Sequence, residues 1–127
     1  MAMEPGRFGR TLSLRIRPNE DLTRGVEKAC AEYGITRAIV RTGIGSLIDG
    51  CLCYGPERAE KKLHGPVVEI ITLGGEVMSG RDGKPEARLF GLIGGPDGAV
   101  SGGNFVPDRN TVLVTAEVVL QEWQPTA

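Results

Sequence analysis

The stretch VVEIITLGGEVM, residues 67–78, is a long run of apolar and β-branched residues, and it predicts a strand. Gly74 and Gly75 interrupt the run, and a glycine pair inside a strand indicates a bulge or the close approach of another backbone. Residues 55–65 before it are charged and bounded by Gly and Pro, so we expect a surface loop there. Residues 79–86 after it predict a second exposed turn. The centre of the chain is therefore a predicted strand between two surface connections.

Three further strands are predicted downstream, over residues 88–93, 99–105 and 110–123, with a turn at 96–98. In the last strand one face is wholly apolar: Val112, Val114, Ala116, Val118 and Leu120. The opposite face is mixed: Thr111, Leu113, Thr115, Glu117, Val119 and Gln121. A mixed, β-branched face with an internal carboxylate predicts a second contact layer, either a subunit interface or the lining of a cavity.

The N-terminal part predicts a strand and the one convincing helix of the chain. Alternating residues Leu12, Leu14 and Ile16 indicate a half-buried strand that ends at Pro18. Asn19 is the predicted N-cap, with two acidic residues following in the first turn. The apolar stripe at helical spacing is Leu22, Val26, Cys30 and Tyr33, followed by Gly34 as a left-handed C-terminal cap.

Residues 35–44 predict the next strand, which turns through a tight Gly-Ile-Gly-Ser corner at 43–46 into a strand over 47–54. One helix and about seven strands joined by short turns predict the α+β class with a mainly antiparallel sheet. A length of 127 residues predicts one domain, 1–127, in which residues 1–7 form a flexible tail.

Composition excludes several classes of function. The net charge of -1 and the 5% aromatic content do not favour nucleic-acid binding. No apolar run is long enough to span a membrane, and the N-terminus has no secretory signal, so we expect no membrane partner. Three cysteines without such a signal predict free thiols and a cytoplasmic location.

Five segments, met in order along the chain, resemble the PPC domain (the plant and prokaryote conserved domain). LHGPVVEIITLGG at 63–75 resembles its central signature, and RPNEDL at 17–22 resembles its opening, with Asn19 in place of Gly. The others are TGIGSL at 42–47, GGPDGAVSGG at 94–103 and TAEVV at 115–119. The resemblance implies a mainly antiparallel sheet with one principal helix, usually assembled as a homotrimer. In plants this domain is attached to an AT-hook and serves oligomerisation and partner binding.

Many prokaryotic members of that family carry three metal-binding histidines, and this chain departs from them. The corresponding positions hold Arg88, Phe90 and Asn104. Arginine and phenylalanine are not usual metal ligands, and a lone amide oxygen does not hold a transition metal. We therefore expect no metal and no cofactor.

The candidate ligand-binding residues are Glu69, Arg88, Asn104, Thr115 and Glu117. Two of them are acids inside otherwise apolar strands, where an unpaired carboxylate is costly. One hypothesis is that Arg88 forms a structural ion pair with one of these acids. The other is that Arg88 and Asn104 bind a small polar or anionic molecule, with Glu117 as an acid or base.

The remaining chemistry-bearing residues favour structural roles. His64 is the only histidine and is expected to be solvated at the start of a strand. Cys51 and Cys53 share a strand face; with His64 they could supply three metal ligands, but we interpret them as small buried apolar residues. Cys30 belongs to the helix stripe. The Gly-rich segments 43–46 and 94–103 suit hairpin turns better than a phosphate-binding loop, since neither carries a complete fingerprint.

Two function classes remain. The first is a non-catalytic small-molecule-binding or protein-interaction and regulatory homotrimer of the PPC type. The second is a metal-independent enzyme, lyase- or decarboxylase-like, that uses a pocket with Arg88 and Glu117. The resemblance suggests the second because the fold is similar to that of acetolactate-decarboxylase-like zinc proteins.

Overall fold

The structure is a computed structural model that describes residues 1–126. Its elements in chain order are β1 (Gly6–Ile16), α1 (Leu22–Glu32), β2 (Ala38–Leu47), β3 (Gly50–Tyr54), β4 (Ala59–Leu63), β5 (Val68–Ser79), β6 (Pro85–Gly94), β7 (Val100–Phe105) and β8 (Val112–Pro125).

The eight strands form one sheet in the order β1-β8-β2-β5-β6-β7-β3-β4, and every neighbouring pair is antiparallel. This confirms the predicted class and sheet type. The strand that the sequence did not predict is β4, inside the expected surface loop 55–65. Its charged residues are typical of a loop, but its backbone pairs with β3 from Gly50 opposite Leu63 to Tyr54 opposite Ala59. Exposed lysines suit an outermost strand because they discourage further strand pairing.

Helix α1 begins later than predicted. Its N-cap is Asp21, whose side chain accepts a hydrogen bond from the Arg24 amide. Asn19 instead has φ 72 and donates its amide to the Val112 carbonyl. The prediction of Asn19 as the N-cap, with acidic residues in the first turn, is therefore wrong. The reason is tertiary, because residues 19–22 pair with the start of β8 before the helix can begin.

The apolar stripe of α1 packs onto one face of the sheet and closes the core. Leu22, Val26 and Cys30 are fully buried as predicted, and Gly34 ends the helix at φ 65. Tyr33 does not belong to the stripe, since it is the C-cap residue and is 55% exposed. Ile35, in the connection between α1 and β2, also belongs to the core. Strands contribute the other core residues: Ile16, Ala38, Val40, Leu47, Leu52, Leu63, Val68, Ile70, Leu73, Val77, Ala87, Leu89, Ile93, Phe105, Val112, Ala116, Val118 and Leu120.

Two strand irregularities correct the sequence prediction around β2 and β8. The alternating pattern places Val114 on one face with Val112 and Ala116, but Val114 is 65% exposed whereas those two residues are fully buried. Gly45 lies opposite Ala116 while Leu47 lies opposite Val112, so residues 113–115 bulge outward opposite the single residue Ser46. The Gly-Ile-Gly-Ser segment at 43–46 is also not a corner, because β2 continues through it to Leu47.

Part of the predicted N-terminal tail is ordered against β8. Gly6 and Arg7 lie opposite Pro125 and Gln124, so the prediction of a tail over residues 1–7 is wrong for residues 6 and 7. Before them, the Glu4 carboxylate accepts a hydrogen bond from the Trp123 indole at 2.9 Å.

The ion pair between Arg10 and Glu122 joins β1 to β8. The Glu122 carboxylate accepts hydrogen bonds from the Arg10 guanidinium at 3.2 Å and from the Arg10 amide at 3.1 Å. These bonds to Arg10 hold the pKa of Glu122 below its usual range. Because the folded pKa is lowered, the stability from this pair is present above the unfolded carboxyl pKa and is lost as the pH falls through the folded value.

We expect the stability of Arg10→Gln to fall less steeply than that of the wild type as the pH is lowered. The difference between the denaturant midpoints of wild type and variant should be largest at neutral pH and shrink as the pH falls below the usual carboxyl range (roughly 4). A smaller, pH-independent difference should remain, because Arg10 also donates to the Tyr33 carbonyl at 2.7 Å. Arg81→Gln, in an exposed turn outside every ion pair of residues 1–126, is the control and should follow the wild-type curve. Parallel acid limbs for wild type and Arg10→Gln would contradict this account.

Candidate functional site

The sheet face opposite α1 carries apolar side chains at its centre. Residues that lie opposite each other in neighbouring strands share a face, and the register therefore places these residues together on the outer side. They are Ile39, Ile44, Ile71, Met78, Phe90, Leu92 and Val100, which we call the outer apolar face. Ile44 is 61% exposed and Phe90 is 54% exposed. Polar residues interleave with these side chains, as Glu76 does opposite Ile39. Several exposed apolar side chains on one sheet face favour a site of association.

Arg88 and Asn104 lie beside this face on neighbouring strands. Asn104 of β7 is directly opposite Phe90 of β6. Arg88 lies two residues before Phe90 in β6 and therefore on the same face of the sheet. On the other side Arg88 is opposite Glu76 of β5. An open groove of about 490 Å³ is lined by Ile39, Glu76, Arg88, Phe90 and Asn104, among others. The structure thus brings together two of the five residues that the sequence singled out.

Glu117 lies elsewhere and has a different partner. It is opposite Arg15 of β1, whose guanidinium Nη2 lies 3.2 Å from the Glu117 carboxylate. Two strands, β2 and β5, separate β8 from β6, which amounts to roughly 14 Å at ordinary strand spacing. The proposed pairing of Arg88 with Glu117 is therefore absent from residues 1–126.

Glu69 and Thr115 also lie away from Arg88. Glu69 is opposite Gly94, whereas Arg88 is opposite Glu76 further along the same strand pair, so the two are roughly 20 Å apart. Thr115 sits in the outward bulge of β8, and its hydroxyl is buried without a hydrogen-bond partner among residues 1–126. Within one chain the five predicted residues do not form a single pocket.

The thiols behave as core groups. Cys51 and Cys53 are both buried in β3, which agrees with the structural interpretation. Burial raises the pKa of Cys51, and the neighbouring Glu60 carboxylate raises it further. Burial also raises the pKa of Cys30 to about 11, with a smaller contribution from Glu27. Both thiols are therefore protonated at neutral pH and are poor nucleophiles. His64 is exposed in the connection between β4 and β5.

The three positions at which the resemblance implies metal-binding histidines do not fit a metal ion. They present a guanidinium from Arg88, a phenyl ring from Phe90 and a single amide from Asn104. Within residues 1–126 no group of three or more His, Cys, Asp or Glu side chains could hold a metal ion. We derive no chemistry through a metal at this site.

The profile of the Plants and Prokaryotes Conserved (PCC) domain, also written PPC, matches residues 3–124. This chain belongs to the PCC family. The match covers nearly the whole chain, which confirms the resemblance that its motifs indicated. No curated protein matches the chain.

Solved structures agree with this assignment. A plant- and prokaryote-conserved (PPC) protein from Pyrococcus horikoshii is 31% identical, with a TM-score of 0.85 over 98% of this chain and 85% of that one. A metal-containing protein from Archaeoglobus fulgidus is 28% identical, with a TM-score of 0.83 over 100% of this chain and 89% of that one. A third structure, described as that of a candidate DNA-binding protein from Bacteroides thetaiotaomicron, is 18% identical, with a TM-score of 0.75 over 92% and 83% of the two chains.

Sequence reasoning missed two features of this PCC domain. One is Glu76, which lies opposite Arg88 only because of the register between β5 and β6. The other is the extent of the outer apolar face. A signal for it was present in IITL at 70–73 and LFGLI at 89–93, because runs without alternation place apolar residues on both faces of a strand.

No helix within residues 1–126 has the length and apolar content needed to cross a membrane.

Proposed function

We propose that this PCC domain is a non-catalytic interaction and regulatory module that assembles as a homotrimer and binds a small polar or anionic molecule. The observation that carries the proposal is the outer apolar face, with Ile44 and Phe90 both more than half exposed. A lone subunit would leave this surface in water. Burying apolar surface contributes about 25 cal/mol per Å², so a second copy of the same chain gains by covering it. The trimer is the assembly that the family resemblance implies.

Native mass spectrometry of protein purified without chelator tests the assembly. We expect three times the monomer mass of 13.5 kDa. A monomer at all accessible concentrations would contradict the proposal.

A matched pair of variants tests whether the outer apolar face forms the contact. Phe90 and Tyr33 are exposed aromatic residues, 54% and 55% respectively, but Tyr33 lies at the end of α1 and not on this face. We expect Phe90→Asp to release monomers, because a charge buried in an apolar contact is costly. Tyr33→Asp should keep the wild-type mass. Equal masses for wild type and Phe90→Asp would show that the subunits associate elsewhere.

The ligand-binding part of the proposal rests on Arg88 and Asn104, which share the groove beside the outer apolar face. Glu69, Thr115 and Glu117 stay part of the proposed ligand set only where a neighbouring copy brings them to this groove. The enzyme alternative is less well supported, because Glu117 pairs with Arg15 and is not beside Arg88. We therefore favour binding over catalysis.

The proposal also includes a cytoplasmic location and a partner other than nucleic acid. The free cysteines Cys30, Cys51 and Cys53 support a reducing compartment. The net charge of -1 supports a protein or small-molecule partner, since a phosphate backbone is held mainly by excess positive charge. The Bacteroides thetaiotaomicron structure is 18% identical, and at that identity the likeness shows a common fold but not a common binding partner.

A further inference from the structure

We infer that Arg58 and Arg88 together form a binding site for the oxyanion group, carboxylate or phosphate, of a small molecule. The inference deepens the ligand-binding part of the proposed function, on which it rests, by naming the ligand chemistry and a second arginine. The site is a cavity of about 290 Å³ on the side of Arg88 away from the groove with Ile39.

The cavity lies where β7 does not pair with the first half of β6. At this end of the pair, Phe90 lies opposite Asn104, and β7 ends one residue later at Phe105. The residues of β6 between Pro85 and Phe90 therefore have no partner in β7. The free length of β6 leaves an opening in the sheet. Cys53, Leu89 and Phe105, each buried, line the cavity with apolar side chains.

Arg58 reaches the cavity from the β3–β4 turn. Its φ of 53 and the hydrogen bond from its amide to the Gly55 carbonyl close the turn. The guanidinium is thereby directed back over β3, where Nη2 lies 3.9 Å from the Cys53 sulfur. That is a weak contact for a group with five N–H donors. The turn therefore presents a guanidinium that forms no ion pair within the described residues 1–126.

Arg88 enters the same cavity from β6 and is also without an ion-pair partner among residues 1–126. The Asn104 amide adds a third donor group, whose hydrogen bond to the Cys53 carbonyl is long, at 3.4 Å. Within residues 1–126 the lining of this cavity contains two guanidinium groups and one carboxylate, that of Glu86, while Glu76 lies opposite Arg88 on β5 outside the lining.

This arrangement fits a small molecule with one oxyanion group. Planar guanidinium groups recognise carboxylate and phosphate oxygens through paired hydrogen bonds. The volume of about 290 Å³ is at the lower end for a ligand site, which favours a small metabolite over a nucleotide.

Isothermal titration calorimetry at low ionic strength tests the site with two probes, inorganic phosphate and succinate. We expect at least one probe to bind the wild-type protein. Arg58→Gln and Arg88→Gln should each weaken that binding by about tenfold or more, because a hydrogen-bonded charge is lost. Arg81→Gln removes an arginine from the exposed β5–β6 turn, outside the cavity, and should bind as wild type does. Stronger binding of phosphate would identify a phosphate ester, and stronger binding of succinate a carboxylic acid.

No heat with either probe would overturn the inference, as would equal losses in Arg81→Gln and the two cavity variants. Native mass spectrometry on the same samples separates this result from the assembly. A trimer that binds neither probe overturns the anion site alone, whereas a monomer that binds one of them overturns the trimer alone.

Discussion

Asn110→Ala is expected to lower the free energy of unfolding by about 4 kcal/mol. Asn110 is fully buried, and its side chain connects β3 to the loop before β8. Its Oδ1 accepts from the Cys51 amide at 2.9 Å, and its Nδ2 donates to the carbonyls of Cys51 and Val106 at 2.9 and 3.0 Å. Alanine leaves the buried Cys51 amide without this acceptor, whereas the Cys51 and Val106 carbonyls keep the amides of Val106 and Arg109 as donors.

A buried polar group that loses its partner costs about 1–3 kcal/mol, and the two lost hydrogen bonds to carbonyls and the small void account for the rest of the expected loss. Asn104→Ala is the matched control, because Asn104 is exposed and makes one long hydrogen bond of 3.4 Å. It should cost less than about 1 kcal/mol. Chemical denaturation at one fixed protein concentration gives both values, since association couples stability to concentration. Equal small losses in the two variants would contradict the role given to Asn110.

Gly75→Ala is expected to prevent folding or to cost at least about 4 kcal/mol. Gly75 has φ 150 on β5, a conformation that side chains rarely adopt. A Cβ atom there would overlap the carbonyl oxygen of Arg88 and meet the Leu89 Cα at 3.0 Å. Both obstacles are backbone atoms of the paired strand β6, so no side-chain rotation can relieve them.

Gly83→Ala separates the conformational cost from the overlap. Gly83 also has positive φ, at 79, but nothing lies within 4 Å of the position that a Cβ would take. We expect a loss of about 1–2 kcal/mol there, the cost of a left-handed conformation alone. Circular dichroism and thermal melting of both variants provide the comparison. A Gly75→Ala protein that melts like Gly83→Ala would show that the two strands can separate enough to admit a methyl group.

The Gly74–Gly75 pair illustrates how far local sequence can predict this fold. A bulge and a close backbone approach were both open from the sequence, and the structure shows the close approach at Gly75. The register shift in β5 lies earlier, between Ile70 and Thr72, where no glycine signals it. Bulges at such positions depend on the partner strand, which the local pattern does not contain.

The candidate site shows the same division between local and tertiary information. Arg88 and Asn104 could be predicted as neighbours because they follow from family motifs on adjoining strands. Arg58 could not, because its segment was expected to be a solvated loop, and only the hairpin of β3 and β4 directs its side chain to the cavity. Glu117 was expected near Arg88, but the strand order inserts β2 and β5 between them.

The sequence by itself determined the class of the fold, the helix stripe of Leu22, Val26 and Cys30, and the family. Periodicity and the order of motifs are properties of the sequence along the chain, so they can be recognised without knowing which residues are neighbours in space. Only the tertiary structure decided which charged residues meet, such as Arg15 with Glu117, and which apolar residues stay uncovered, such as Phe90. Strand order and register set those contacts, and both depend on pairings between residues far apart in the chain.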